Sequence, residues 1–112
     1  MLEVFFYKTD SGNEPVKDWI KGQNKDNKRI IGEDIKTLQL GWPIGMPLVR
    51  KMEDKLWELR IRLSEGIVRV FFTLDRSKIV LLHGFSKKSN KTPVFELEIA
   101  QLRKRNYFRG VR

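Results

Sequence analysis

The sequence predicts an α+β domain, with a helix pair first, then an antiparallel sheet, then a closing helix. Three observations predict it. The chain has 112 residues, which suits a single domain over 1–112 and leaves little room for a second. Hydrophobic residues make up 40% and charged residues 33%, a balance that gives a packed core under a well-solvated surface. The hydrophobic period also changes along the chain. Helical spacing in the first half gives way to strand-like alternation from residue 49, and helical spacing returns after residue 92.

Leu2 to Tyr7 is a short apolar run that reads as a strand rather than a signal peptide, because an acid, Glu3, sits near its start. Asp10-Ser11-Gly12-Asn13 is a turn cluster. Asn13 or Ser11 can cap a helix that has Pro15 in its first turn and Val16, Trp19 and Ile20 on one face. A second helix is expected from about Asp26 to Leu40, with Ile31, Ile35 and Leu38 on one stripe and Gly41 placed to end it. Two prolines and two glycines make residues 41–47 a loop.

Val49 to Met52 reads as a short strand and Leu56 to Leu63 as a clear one. In the latter Trp57, Leu59, Ile61 and Leu63 share a face, and Leu56, Glu58, Arg60 and Arg62 share the other. Ser64-Glu65-Gly66 turns the chain into a returning strand, Ile67 to Leu74. After Asp75-Arg76-Ser77, a strand from Lys78 to Phe85 has the apolar run expected of a central position. Ser86 to Lys91 reads as a basic loop. Thr92 is then placed as a helix cap, with Pro93 at the first helical position. That helix is expected to reach about Arg105 and to bury Phe95, Ile99 and Leu102.

Composition excludes several chemistries. There is no cysteine, so neither a disulfide framework nor a thiolate nucleophile is available. One histidine without cysteine leaves no basis for a zinc site, and no cofactor or metal is expected. No phosphate-cradling glycine loop is present, and no serine–histidine pattern. No apolar run is long enough to span a membrane, so a cytoplasmic protein without membrane association is expected.

The net charge of +9 is uneven. Residues 1–50 hold eight Lys/Arg against seven Asp/Glu, whereas residues 51–112 hold fifteen against seven. A concentrated positive field attracts a polyphosphate or an acidic protein. Arg60 and Arg62 are two apart on a strand and so share a face. Arg69 falls beside them if the Ser64–Gly66 turn sets the register. Lys87, Lys88 and Lys91 follow the next strand. Guanidinium groups crowded on one face repel each other unless an anion arrives or nearby acids, here Glu53, Glu58 or Glu65, pair with them. Both readings are open from the residues alone. His83 ends an apolar strand, where a lone histidine is more often structural than catalytic.

Such a set is chemically sufficient for RNA cleavage. Arginines stabilise a phosphorane, and a lysine whose pKa is lowered by like-charged neighbours can move a proton. Plain RNA binding is equally consistent with the composition.

A resemblance goes further. Leu56-Trp57-Glu58-Leu59-Arg60, Gly66 to Phe72, Leu82-His83-Gly84-Phe85-Ser86-Lys87-Lys88, Lys91-Thr92-Pro93, and Glu96 with Ile99-Ala100 occur in an order that resembles the RelE/HigB toxin superfamily, closest to its phage-derived HigB-like branch. The resemblance implies a RelE-like fold, with two N-terminal helices packed on a curved antiparallel sheet and a C-terminal helix. It implies a type II toxin–antitoxin toxin, a ribosome-dependent mRNA endoribonuclease. Its partners would be mRNA, the ribosome and a helix-turn-helix antitoxin. By position it implies catalytic roles for Arg60, Arg69 and Lys87, with Arg62, Lys88, Lys91 and His83 on the substrate. The sequence departs from the family at Phe95, where a tyrosine hydroxyl is expected, so the base is open among a lysine, the ribosome and His83. The alternative is a non-catalytic RNA- or protein-binding module on the same scaffold.

Overall fold

A computed structural model of the chain describes residues 2–87 and 92–110. Its elements run β1 (Glu3–Phe6), α1 (Pro15–Lys21), α2 (Lys25–Gly41), β2 (Val49–Glu53), β3 (Leu56–Leu63), β4 (Gly66–Asp75), β5 (Lys78–Lys87) and α3 (Val94–Gly110). The strands form one five-stranded sheet in the order β1-β5-β4-β3-β2. The α+β class follows from this arrangement.

β2 to β5 form an antiparallel meander. Two-residue connections fix its register, since Glu53 pairs with Leu56, Leu63 with Gly66 and Asp75 with Lys78. The sheet is not wholly antiparallel, however. β1 pairs parallel to β5, with Val4 opposite Ile79 and Phe6 opposite Leu81. Parallel neighbours need a long crossover, and here both helices and three strands intervene.

Each sheet face has its own core. On one face, Val49, Leu59, Ile61, Leu63, Val68, Val70, Phe72, Ile79 and Leu81 pack with Val16 of α1 and Ile31 and Leu38 of α2. On the other, Leu56, Phe71, Val80, Leu82 and Phe85 pack with Ala100, Leu97 and Tyr107 of α3. The alternation within β3 is as the sequence predicts. A β-bulge interrupts it in β5, where Phe71 pairs with His83 but Phe72 pairs with Leu81, leaving Leu82 as the extra residue. Beyond the bulge the faces exchange, so His83 lies on the α3 side, against Phe71 and Phe85.

The helices depart from expectation at their ends. The N-cap of α1 is Glu14, with no side-chain cap bond, and Asn13 lies before it, donating its backbone N–H to Thr9 Oγ1. α2 is capped by Asn24, which accepts from the Asn27 N–H. α3 runs five residues past Arg105, and its buried stripe is not the expected one. Phe95 and Leu102 face solvent, 70% and 49% exposed. The sheet side of α3 is set by polar anchors. Glu96 reaches His83, Arg103 donates to the Leu82 carbonyl, Gln101 and Lys104 hold Glu53, and Tyr107 donates to Asp75. Among the described residues, no helix is long and apolar enough to cross a membrane.

Candidate functional site

The α3-side face carries the basic residues, and cross-strand rows organise them. Arg50 of β2 is opposite Glu58 of β3, which is opposite Phe71 of β4 and then His83 of β5. One row on, Arg60 is opposite Arg69, which is opposite Phe85. One further row pairs Arg62 with Ile67 and Ile67 with Lys87. The backbone thus brings Arg60, Arg62, Arg69 and Lys87 to one end of the sheet. Lys88 and Lys91 lie outside the described residues.

Like charges placed directly opposite on a sheet are destabilising. The Arg60–Arg69 pair is tolerated because Glu58 sits beside both. Its side chain is fully buried, and Arg69 is 1% exposed. Glu58 Oε2 lies 3.6 Å from Arg69 Nη1, and Oε1 lies 3.5 Å from Arg50 Nη2 and 4.0 Å from Arg60 Nε. Three guanidinium groups therefore share one carboxylate. Buried charge survives only with such pairing. Of the three acids that the sequence offers as partners for the arginines, Glu58 is the buried centre of the cluster.

Thr92 completes it. Its hydroxyl donates to Glu58 Oε2 at 2.6 Å and accepts from Arg50 Nη2 at 2.9 Å and Arg69 Nη1 at 3.0 Å. That hydroxyl is consequently not a helix cap. The Pro93 carbonyl accepts the first helical bond, from Leu97 N–H, and α3 starts at Val94. The Thr-Pro pattern does mark the helix start, but a buried carboxylate and two guanidinium groups outcompete the backbone for the hydroxyl. Neither Arg50 nor Thr92 carries a sequence signal of its own. For Arg50, the usable signal is the cross-strand partner of Glu58.

His83 has both ring nitrogens occupied. Nε2 lies 2.9 Å from Glu96 Oε1, and Arg103 Nη1 lies 3.2 Å from Nδ1. A guanidinium only donates, so Nδ1 is an acceptor and Nε2–H donates to Glu96. Burial holds the imidazole pKa below its ordinary value, and Arg103 acts in the same sense, against the opposing pull of Glu96. The folded state thus keeps His83 neutral, whereas the unfolded chain protonates first as pH falls. Stability contributed by this site is present above about pH 6.5 and is lost as pH falls from there towards the folded-state pKa. Urea unfolding of the wild type is expected to lose stability between about pH 7.5 and about pH 5, and His83→Gln is expected to flatten that slope. An equal slope in the variant would remove His83 as the cause.

Tyr107 is far from the arginines. Its hydroxyl donates to Asp75 at 2.7 Å, six residues along β4 from Arg69, or about 20 Å. Burial first, then Asp75, push its pKa up to about 12, so it stays a neutral phenol.

Two cavities flank this end of the sheet. A cavity of about 210 Å³ is lined by Asp34, Pro47, Leu48, Arg60, Arg62 and Ile67. Burial, and secondarily Glu33, raise the Asp34 pKa. A larger one, about 620 Å³, lies between the α1–α2 turn and the β3–β4 hairpin, but among the described residues none that lines it is basic. Charge, not size, singles out the arginine face.

Fold and site define a small α+β protein with an arginine-lined sheet face. The family profile described as phage derived protein Gp49-like (DUF891) matches residues 18–105, and the chain belongs to that family. Comparison with curated proteins gives no significant match.

Proposed function

We propose that the protein is the toxin of a type II toxin–antitoxin system, an endoribonuclease that cuts mRNA on the ribosome and so stops translation. The observation that carries this reading is the gathering of Arg50, Arg60 and Arg69 around one carboxylate, with exposed Arg62 in the adjoining row. Membership of the phage-derived Gp49-like family and the sequence resemblance to RelE/HigB toxins support it.

In this reading the guanidinium groups hold the scissile phosphodiester and stabilise the charge that grows on the phosphorane. The 2′-hydroxyl must lose a proton and the 5′-oxygen must gain one. Phe95 has no hydroxyl, Tyr107 is bound at the far end of β4, and both His83 nitrogens are engaged. The proton transfers therefore fall to the lysines of the 87–91 segment or to the ribosome. The excess of positive charge suits an antitoxin that covers the face with an acidic segment.

A second reading is a non-catalytic RNA- or protein-binding module, favoured by the burial of Arg69 beneath Thr92. Primer extension on translated mRNA separates the two. New 5′ ends at fixed positions within codons are expected after induction. Arrested growth without new ends would sink the nuclease and leave the binding module.

A further inference from the structure

α3 packs on the sheet through Leu97, Ala100 and Tyr107. Its opposite side presents exposed Phe95 and Leu102, with half-buried Ile99 between them. The spacing is i, i+4, i+7, so the three side chains adjoin along the helix. Apolar residues exposed singly are ordinary, but a continuous apolar row is what one helix offers to another. Half-buried Asn106 continues the row one turn past Leu102. Two exposed charges, Glu98 and Arg105, border it on one flank. They stand in line two turns apart, about 10 Å along the axis. That is too far for them to pair within the helix, and among the described residues neither has an ion-pair partner. The other flank repeats the pattern with Glu96 and Arg103, but His83 and the Leu82 carbonyl hold those two.

We propose that this stripe is a self-association surface, on which α3 packs antiparallel against α3 of a second copy about a two-fold axis. The inference goes beyond the proposed reaction and does not rest on it. Charge complementarity selects a second copy as the occupant. In an antiparallel helix pair like flanks meet, so Glu98 and Arg105, which share a heptad position, face their own counterparts. Setting Ile99 against Leu102 of the second copy brings Glu98 beside its Arg105, and the two-fold axis repeats the pair. Phe95 then packs beside Leu102 and Asn106 of the second copy. A parallel pair would set Glu98 and Arg105 against the flank that the sheet already engages. An acidic partner helix would gain Arg105 but meet Glu98 as a like charge. The net charge of +9 on each copy opposes the contact, which spans only about 18 Å of each helix. The dimer is therefore a weak one, with a dissociation constant on the order of 100 µM.

The test is sedimentation equilibrium of the full chain over about 5–500 µM, a range that brackets the expected constant. Wild type is expected to pass reversibly from monomer to dimer. Phe95→Gln is expected to weaken association about tenfold or more, with an unchanged melting midpoint in dilute solution because Phe95 is exposed. Glu98→Arg and Arg105→Glu each turn both attractions into like-charge contacts, and each is expected to weaken association about tenfold. Mixed in equal amounts, these two variants regain opposite charges at both contacts. The mixture is expected to dimerise near wild-type strength where neither variant does so alone.

Arg105→Glu also separates register from bulk charge. It lowers the net positive charge of each copy, so a general repulsion effect would strengthen association, the opposite of the expected sign. A wild type that stays monomeric at 500 µM overturns the proposal and leaves the stripe to a different protein. Association that the charge variants leave unchanged, or that their mixture fails to restore, overturns the antiparallel α3 pairing.

Discussion

Arg69→Ala is expected to abolish growth arrest on expression and, at the same time, to lower folding stability by about 3–5 kcal/mol, the range for removing one partner from a buried ion pair. Both effects have one cause. Arg69 is 1% exposed, and its Nη1 lies 3.6 Å from a fully buried carboxylate and 3.0 Å from the Thr92 hydroxyl. Loss of arrest in that variant alone therefore says little about contact with RNA. Arg69→Ala/Glu58→Gln separates the two effects, since it removes the guanidinium and the stranded charge together. Urea unfolding of the double variant is expected to recover part of the lost stability, while arrest stays absent. Arg62→Ala supplies the opposite control. Arg62 is exposed, so its loss is expected to weaken arrest with little change in stability. Arrest that persists in a folded double variant would show that Arg69 has no part in toxicity.

The arginine face was legible in the sequence as a face, but its interior was not. Alternation over Leu56 to Leu63 placed Glu58, Arg60 and Arg62 together because β3 is regular and pairs with β4 from Trp57 to Leu63. The short connection after Leu63 put Arg69 opposite Arg60. What alternation does not carry is depth. Glu58 is buried because Thr92, 34 residues away, closes over it, and no local pattern records that contact. The same limit explains α3. Phe95-Ile99-Leu102 and Leu97-Ala100-Tyr107 are both periodic stripes, and the choice between them is made by His83, Glu53 and Asp75 on distant strands. The bulge at Leu82 is a further case. Strict alternation would put His83 on the α1–α2 face with Leu81, and one extra residue moves it to the other. The parallel pairing of β1 is likewise tertiary, since nothing within Leu2 to Tyr7 distinguishes its direction.

Gly84→Ala is expected to be among the most destabilising single-methyl changes in the chain. Gly84 pairs with Val70 on the face covered by α1, and the indole of Trp19 lies directly on it. A Cβ added at Gly84 would stand 2.5 Å from Trp19 Cε3, 2.7 Å from Cζ3 and 2.9 Å from Cδ2. Real carbon contacts do not come that close, so the ring or the strand must move. The ring is poorly placed to yield, because Trp19 packs against the buried core that α1 and α2 share with the sheet. Forcing extra volume into such a core costs about 1–3 kcal/mol or somewhat more. Trp19→Leu is expected to destabilise by itself, by opening a cavity. In Gly84→Ala/Trp19→Leu the added methyl partly fills the space that the indole leaves, so the double variant should be more stable than the sum of the two losses. A thermal-melt cycle on the four proteins measures that coupling, and strict additivity would mean that Gly84 is not there to admit the ring.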